Sequence, residues 1–131
     1  MLVSVQVNKE KRMILNKEAY DAITYLEITP ESGYSRYSNQ SHVKGRVTQI
    51  WMFLTTTGNV STTGVVKVAT ISPIPKAQIP ITGVIADSSW IPKGEIFGYI
   101  DTSGNVWICV SANPTTAARY LIIQSVSVVA Y

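Results

Sequence analysis

Over most of its length, this chain has few charged residues. The last 85 of its 131 residues, from Val47 to Tyr131, contain 19 serines and threonines but only seven charged side chains. The seven are Lys67, Lys76, Asp87, Lys93, Glu95, Asp101 and Arg119. A weakly charged stretch rich in Thr, Ser, Val and Ile, with glycines at turn spacing, is typical of a β-sandwich or barrel. Such a surface meets its partners through hydroxyl groups and aromatic rings, which argues against an active site made of ionisable groups.

Cysteine and histidine each occur once, as Cys109 and His42. A single cysteine excludes an internal disulfide and a multi-cysteine metal site, and its apolar surroundings predict a buried, inert thiol. Only His42 could act as the base of a nucleophilic triad, and its polar segment is typical of an exposed loop. The glycines are spaced as turns and form no phosphate-binding loop. We therefore expect no enzymatic activity, no metal and no cofactor.

Long apolar runs and clusters of positive charge are also missing. No stretch of about 18 apolar residues could cross a bilayer. The first residues lack the basic region and apolar core of a secretory signal, which predicts synthesis in a cytoplasm. The net charge is +3, but the lysines and arginines between Lys9 and Arg46 are mixed with acidic residues. Because neutralising phosphates requires a clustered cationic face, we expect neither nucleic-acid binding nor membrane insertion.

Residues 1–45 differ in pattern from the rest of the chain. Leu2 to Val7 alternate as a short strand does. Asn16 can cap a helix from Lys17 to about Leu26, in which the apolar side chains share one face. The polar segment from Glu31 to Lys44 shows no period and predicts a loop. We expect residues 1–45 to form an attachment or shoulder segment beside a head domain of residues 46–131.

From residue 46 onwards the apolar residues follow a period of two, as strands do. The sequence Asp101-Thr102-Ser103-Gly104 favours a type I turn within a hairpin of residues 94–110. Thr55 to Gly58 predicts a second hairpin turn, with Gly58 in the left-handed conformation. The predicted strands are residues 46–55, 64–71, 81–86, the two halves of the 94–110 hairpin, and 119–130. The fold class is therefore mainly β, a small antiparallel sandwich or barrel, with a short N-terminal strand and helix.

Trp90 is the aromatic residue whose position most favours a binding role. We expect Trp51 and Phe53, on a strand, to pack in the core, whereas Trp90 follows Ser89 in a polar loop. An aromatic ring exposed there could stack on the C–H face of a sugar, while carboxylates accept and a guanidinium donates hydrogen bonds to its hydroxyls. The predicted saccharide site comprises Trp90, Tyr99, Asp87, Asp101 and Arg119.

The order of elements after residue 58 resembles a known group of viral proteins. The matching features are the turn GNVSTTG, the strand and proline-rich link ATISPIPKAQIPI, the hairpin turn IDTSGNVWI and the last strand ARYLIIQSVSVVAY. Residues 58–131 thereby resemble the head domains of receptor-binding and tail-fibre proteins from phages of Gram-positive bacteria, including lactococcal-type siphophage baseplate proteins. The resemblance implies intertwined homotrimers of small β-barrels that bind saccharides of the host envelope. It also implies a place in the virion, at the tail tip or baseplate, among other tail proteins.

An excess of apolar β-surface independently favours an oligomer. Both faces of the strand at residues 46–55 are apolar from Ile50 to Leu54. A domain of this size has one core, so a second apolar surface requires a partner, which a cyclic homo-oligomer supplies most simply. Three weak sugar sites on one trimer would also gain avidity.

Since no heptad or collagen-like stalk precedes the head, two alternatives stay open. One is a structural baseplate or capsid protein without glycan affinity, and the other is a bacterial carbohydrate-binding or pilus-like module.

Overall fold

The structure is a computed structural model that describes residues 22–131, and this part of the chain consists of strands and connecting loops. The ten strands are β1 (Ile23–Tyr25), β2 (Glu27–Pro30), β3 (Tyr34–Asn39), β4 (His42–Lys44), β5 (Val47–Thr56), β6 (Val66–Ser72), β7 (Ile79–Ala86), β8 (Pro92–Ile100), β9 (Asn105–Val110) and β10 (Arg119–Val128). All pairings are antiparallel, in the order β1-β4-β5-β10-β7-β8-β9-β6-β2, and β3 also pairs with β5. The mainly β fold class is confirmed.

The sheet curls into a nearly closed barrel because its two outermost strands, β1 and β2, are consecutive in the chain. Leu26 joins them and is buried. Its backbone N–H donates to the Ser41 carbonyl at 2.9 Å, and its own carbonyl accepts from the Asn39 side-chain amide at 2.8 Å. One residue thus leads the chain from β1, paired with β4 at one edge of the sheet, to β2, paired with β6 at the other.

The core occupies the inside of this barrel and follows the period-two pattern of the strands. Along β5 the inward side chains Ile50, Met52 and Leu54 are at most 1% exposed, and Leu121 and Ile123 of β10 face them at 0%. Burying each such side chain stabilises the fold by about 1.5–3 kcal/mol. Two glycines allow the tight curvature, because a Cβ at Gly83 or Gly98 would overlap a carbonyl of the neighbouring strand.

The predicted helix from Lys17 to Leu26 is wrong where the structure describes it. Ile23–Tyr25 is extended and pairs with β4 in the register Ile23↔Lys44 to Tyr25↔His42. A helix of about ten residues is only marginally stable by itself, so pairing with an available sheet edge outweighs helix propensity. The other helical positions and the predicted strand Leu2–Val7 lie outside the described residues.

The segment from Glu31 to Lys44, predicted as a loop, contains β3 and β4, both paired with β5. It lacks an apolar period because most of its side chains face away from the core, and backbone hydrogen bonds to β5 hold it instead. These pairings cross the expected boundary between residues 45 and 46, so the described residues on both sides share one sheet. The attachment role of residues 1–45 stays a prediction.

The two predicted hairpin turns have different outcomes. The hairpin of residues 94–110 is confirmed, with β8 paired to β9 from Ile96↔Val110 to Ile100↔Val106. The hairpin at Thr55–Gly58 is wrong, because β5 pairs with β10, β3 and β4 while β6 lies across the barrel. Among the described glycines, the left-handed conformation is adopted by Gly33, Gly45 and Gly104. The Gly58 N–H instead donates to the hydroxyl of Thr56, which turns the chain without a left-handed residue.

Candidate functional site

Five aromatic side chains form a continuous strip on the outside of the barrel. We call this set the aromatic strip; it comprises Tyr37, Trp51, Phe53, Trp90 and Tyr120. Trp90 stacks on Tyr120 with the ring centroids 4.1 Å apart and the planes 8° apart. Tyr37 approaches Trp90 edge-on at 5.2 Å, and Phe53 lies 6.3 Å from Trp90 and 6.2 Å from Trp51. Tyr37, Trp51 and Trp90 are 58%, 42% and 41% exposed, so the strip meets solvent.

Strand alternation places three of these rings on the outer face. Met52 and Leu54 point into the core, so Trp51 and Phe53, which alternate with them along β5, point outwards. Tyr120 of β10 lies directly opposite Thr55 of β5, on the same outer face. The prediction that Trp51 and Phe53 pack in the core is therefore wrong. Both faces of β5 are apolar, and the sequence alone does not say which of the two faces inwards.

A β-bulge brings Tyr37 into the strip. Arg36 pairs with Leu54 and Ser38 pairs with Phe53, which leaves Tyr37 as the extra residue of β3. A bulge redirects the side chain at which it occurs, and bulges are frequent beside functional sites. The Tyr37 ring accordingly lies edge-on to Tyr120 as well, at 5.8 Å.

The backbone of Trp90 is in a conformation that is unfavourable for a bulky residue, with φ at +63°. The turn from Asp87 to Ile91 holds it there. The Asp87 N–H donates to the Ile91 carbonyl and the Trp90 N–H to the Asp87 carbonyl, both at 3.0 Å. The Asp87 carboxylate accepts from the N–H groups of Ser89 and Ile91 at 2.9 and 3.0 Å.

The turn from Asp101 to Asn105 repeats this geometry bond for bond. The Asp101 N–H donates to the Asn105 carbonyl, the Gly104 N–H to the Asp101 carbonyl, and the Asp101 carboxylate accepts from the N–H groups of Ser103 and Asn105. Gly104, at φ +81°, thus occupies the position that Trp90 has in the other turn. A left-handed backbone costs an L-residue about 1–2 kcal/mol, whereas glycine adopts it freely. The turn itself therefore favours glycine, and contacts of the indole must offset the strain at Trp90.

The two aspartates of the predicted site are engaged by their own turns. Asp87 is 8% exposed, and its carboxylate bonds to the loop that carries Trp90. Desolvation raises the pKa of Asp101, but hydrogen bonds from Trp107, Asn105 and Ser103 outweigh it and lower that pKa to about 2. Asp101 follows β8 while Trp90 precedes it, which separates them by about 25–30 Å along nine strand residues.

Arg119, the predicted donor, is buried at 7% exposure and does not face the aromatic strip. Its Nη1 donates to the carbonyls of Thr57 and Ala117 at 3.0 and 3.1 Å. Its Nη2 donates to the Asn59 side-chain oxygen at 2.6 Å and to the Pro114 carbonyl at 3.2 Å. The guanidinium thus joins the loop after β5 to the loop before β10, and this is a structural role.

Tyr99, the fifth predicted residue, lies on the outer face of β8 opposite Pro80 and Trp107. Trp90 precedes the start of β8 whereas Tyr99 lies next to its end, so Tyr99 does not reach the aromatic strip. Of the five predicted residues, the structure brings together Trp90 and Asp87, and of these two only Trp90 has an exposed side chain. Sequence reasoning missed Tyr37 and Tyr120, whose positions depend on a bulge and on the pairing partner of β10.

Hydroxyl groups lie beside the strip. A shallow depression of about 430 Å³ next to Tyr120 is lined by Gly33, Tyr34, Ser35, Thr55, Thr56, Thr57 and Ala118. None of these side chains carries a charge at neutral pH. Rings for stacking and neutral donors and acceptors therefore meet at one end of the barrel.

Three further observations bear on the chemistry of the described residues. Cys109, predicted to be buried, is only partly buried, on the outer face of β9 opposite Phe97. Between residues 22 and 131, no group of three or more His, Cys, Asp or Glu side chains could hold a metal ion, and no helix is long and apolar enough to cross a membrane.

Comparison with protein-family models, curated proteins and solved structures finds no match to this chain.

Proposed function

We propose that the chain is a non-enzymatic saccharide-binding module that acts as a host-adhesion protein at the tail tip or baseplate of a phage. The observation that carries this proposal is the conformation of Trp90. Its indole is 41% exposed and is held in a strained turn position that glycine fills in the equivalent turn. Strain of this kind is found at ligand-binding positions, where the surrounding structure fixes a side chain for recognition.

The chemistry around Trp90 favours a sugar over other ligands. The C–H faces of a sugar ring stack on aromatic rings, and its hydroxyls need neutral donors and acceptors such as those of Ser35, Thr55 and Thr57. Single-stranded nucleic acid also stacks on aromatic rings, but its binding requires a basic groove along the backbone. Among residues 22–131, neither lysine nor arginine lines the depression beside Tyr120.

The phage context rests on the resemblance of residues 58–131 to the head domains of tail-fibre and receptor-binding proteins. In that setting the ligand is a saccharide of a Gram-positive host envelope, and the protein partners are other tail or baseplate proteins. Within residues 1–45, strands β1 to β4 belong to the barrel, so attachment of the head to the particle would fall to the rest of this segment.

An exposed group of valines supports the proposal of a homotrimer. Val47, Val126 and Val128 are 40%, 74% and 75% exposed on the outer face, and Val128 lies directly opposite Val47. An apolar patch of this kind marks a surface that contacts another protein. The patch lies at the end of β5 away from Trp90, so contact between copies there leaves the loop of Trp90 uncovered.

Replacing Trp90 by alanine tests the proposed function. We expect Trp90→Ala to keep the fold and the oligomer and to weaken adsorption to host cell walls by at least about tenfold, because the stacking contact is lost. Phe97→Ala is the matched control: Phe97 is 48% exposed on β8, outside the strip, and its loss should leave adsorption unchanged. Undiminished adsorption by folded Trp90→Ala protein would refute the assignment.

A structural virion protein of the same fold is the second candidate. The valine patch favours it, because a surface that packs against neighbouring particle proteins has the same composition as one that packs against copies of itself. A glycan array and host cell walls distinguish the two functions. Folded wild-type protein that binds neither would support the structural role.

A further inference from the structure

We propose that Trp51 is the centre of a second saccharide contact, so that the ligand is an extended, uncharged oligosaccharide lying along β5. The inference rests on the proposed saccharide binding and defines the size and charge of the ligand. Trp51 is 42% exposed in the middle of β5, at the opposite end of the aromatic strip from Trp90.

Trp51 lies between two shallow depressions in the barrel surface. The first, of about 420 Å³, is lined by Tyr25, Gln40, His42, Gln49 and Trp51 itself. The second, of about 270 Å³, is lined by Gln49, Ile50, Trp51, Thr82, Gln124, Ser125 and Val126. Val126 also belongs to the exposed valine group, so a sugar in this depression would lie at the edge of the proposed contact between copies. Among the described residues, aspartate, glutamate, lysine and arginine are missing from both linings. The indole therefore stands between two basins that combine uncharged amides with apolar side chains.

The glutamines around Trp51 have their hydrogen-bonding groups available. Within the described part of the chain there are four glutamines, and three of them, Gln40, Gln49 and Gln124, line these depressions. Their side-chain amides make no hydrogen bond to another described residue. The four asparagines of the same part all have bonded side chains, namely Asn39, Asn59, Asn105 and Asn113. An amide offers a donor and an acceptor together, which suits neighbouring sugar hydroxyls.

The interruption between β3 and β4 sets the first depression beside the indole. At this point the Gln40 N–H donates to the Trp51 carbonyl at 2.8 Å, and the Trp51 N–H donates to the Ser41 hydroxyl at 2.9 Å. His42 Nδ1 lies 3.0 Å from the Gln40 carbonyl, which only accepts, so Nδ1 is the donor and Nε2 remains an acceptor in the neutral ring. The basin thus combines amides, an imidazole acceptor and the Tyr25 hydroxyl.

The spacing of the rings indicates an extended ligand. Trp51 and Trp90 are linked through Phe53, at centroid distances of 6.2 and 6.3 Å. A ligand that contacts both indoles must therefore be longer than one sugar ring. A chain of neutral sugars lying along β5 would meet Trp90, Phe53 and Trp51 in turn.

The experiment compares Trp51→Ala, Trp90→Ala and the control Phe97→Ala in binding neutral cell-wall polysaccharide fragments fractionated by length. For the wild type we expect affinity to rise with fragment length. Trp51→Ala should bind single sugars as the wild type does but lose about tenfold in affinity for the longest fragments. Trp90→Ala should weaken binding at every length. Gln49→Met, which keeps the shape of a side chain that lines both depressions, should show a smaller loss confined to long fragments.

The outcomes separate this inference from the proposed function. If the wild type binds fragments and Trp51→Ala binds long ones equally well, the second contact is refuted while saccharide binding stands. If folded wild type binds no fragment of any length, both proposals fail. A proline-rich peptide is tested in parallel, because such peptides also dock on exposed aromatic rings. Peptide binding that Trp51→Ala abolishes, without fragment binding, would overturn the assignment to a saccharide.

Discussion

Replacing Trp90 by glycine and by alanine should reverse the usual order of stability of these two residues. In ordinary helices and strands, a protein with glycine is less stable than one with alanine by about 0.5–1 kcal/mol, because glycine has more conformational freedom in the unfolded chain. At φ +63° the alanine would carry a left-handed penalty of about 1–2 kcal/mol that glycine avoids. The difference leaves Trp90→Gly more stable than Trp90→Ala by about 0.5–1 kcal/mol.

Relative to the wild type, Trp90→Ala should lose more free energy of unfolding than the difference between the two variants. Trp90 is 41% exposed, so a little over half of it is covered, which is worth about 1–2 kcal/mol in apolar burial. Stacking on Tyr120 adds about 0.5–1.5 kcal/mol. Trp90→Ala keeps the backbone strain and should therefore cost about 2–3 kcal/mol. Trp90→Gly should cost about 1–2 kcal/mol because it relieves that strain.

The assay is urea unfolding followed by far-ultraviolet circular dichroism. The free energies of unfolding are compared between variants that have the same slope m against urea concentration. Ser89, in the same turn but without a left-handed backbone, provides the control. There Ser89→Ala should be more stable than Ser89→Gly. Gly104→Ala should also destabilise, since its Cβ would lie 2.7 Å from the Ile71 carbonyl oxygen. If Trp90→Gly is no more stable than Trp90→Ala, the left-handed conformation and the argument built on it are wrong.

Two further predictions concern acid stability and assembly. The folded pKa of Asp101 is about 2, below its usual 3.8, so its contribution to stability is complete above about pH 4 and is lost as the pH falls towards 2. Urea midpoints measured between pH 5 and 2 should fall less for Asp101→Asn than for the wild type, and an equal fall would refute the role of this carboxylate. Val126→Lys places a charge at a side chain that is 74% exposed and should leave the protomer folded while sedimentation velocity shows dissociation to single chains. Wild-type protein that sediments as a single chain at all concentrations would refute the trimer.

The sequence predicts the head strands well because they are rich in apolar residues that mostly follow a period of two and are bounded by turn residues. β5, β8, β9 and β10 lie within one or two residues of the predicted ranges, and the turn from Asp101 to Gly104 is correct. The pattern fails where a strand is held by backbone pairing alone. β3 and β4 bury few side chains, so nothing in their composition distinguishes them from a loop.

The candidate site could be predicted only in part, because its members come together through pairing rather than through spacing. Trp90 is identifiable from its polar loop. Tyr120 reaches it because β10 lies between β5 and β7, and Tyr37 reaches it through a bulge. The charged side chains of Asp87, Asp101 and Arg119 have groups that suit sugar hydroxyls, but hydrogen bonds within turns and loops already occupy them. These three charged side chains therefore stabilise turns and loops.

The position of β10 determines when this barrel can be completed during synthesis. It is the last of the described strands along the chain, yet it lies in the middle of the sheet, between β5 and β7. Until the ribosome has released residues 119–128, both neighbours present unpaired backbone edges, which are prone to associate with other chains. Completion then requires contacts between distant parts of the chain, which form slowly. Nascent copies made side by side on one messenger RNA could therefore pair through these open edges of β5 and β7 before β10 completes any of the barrels.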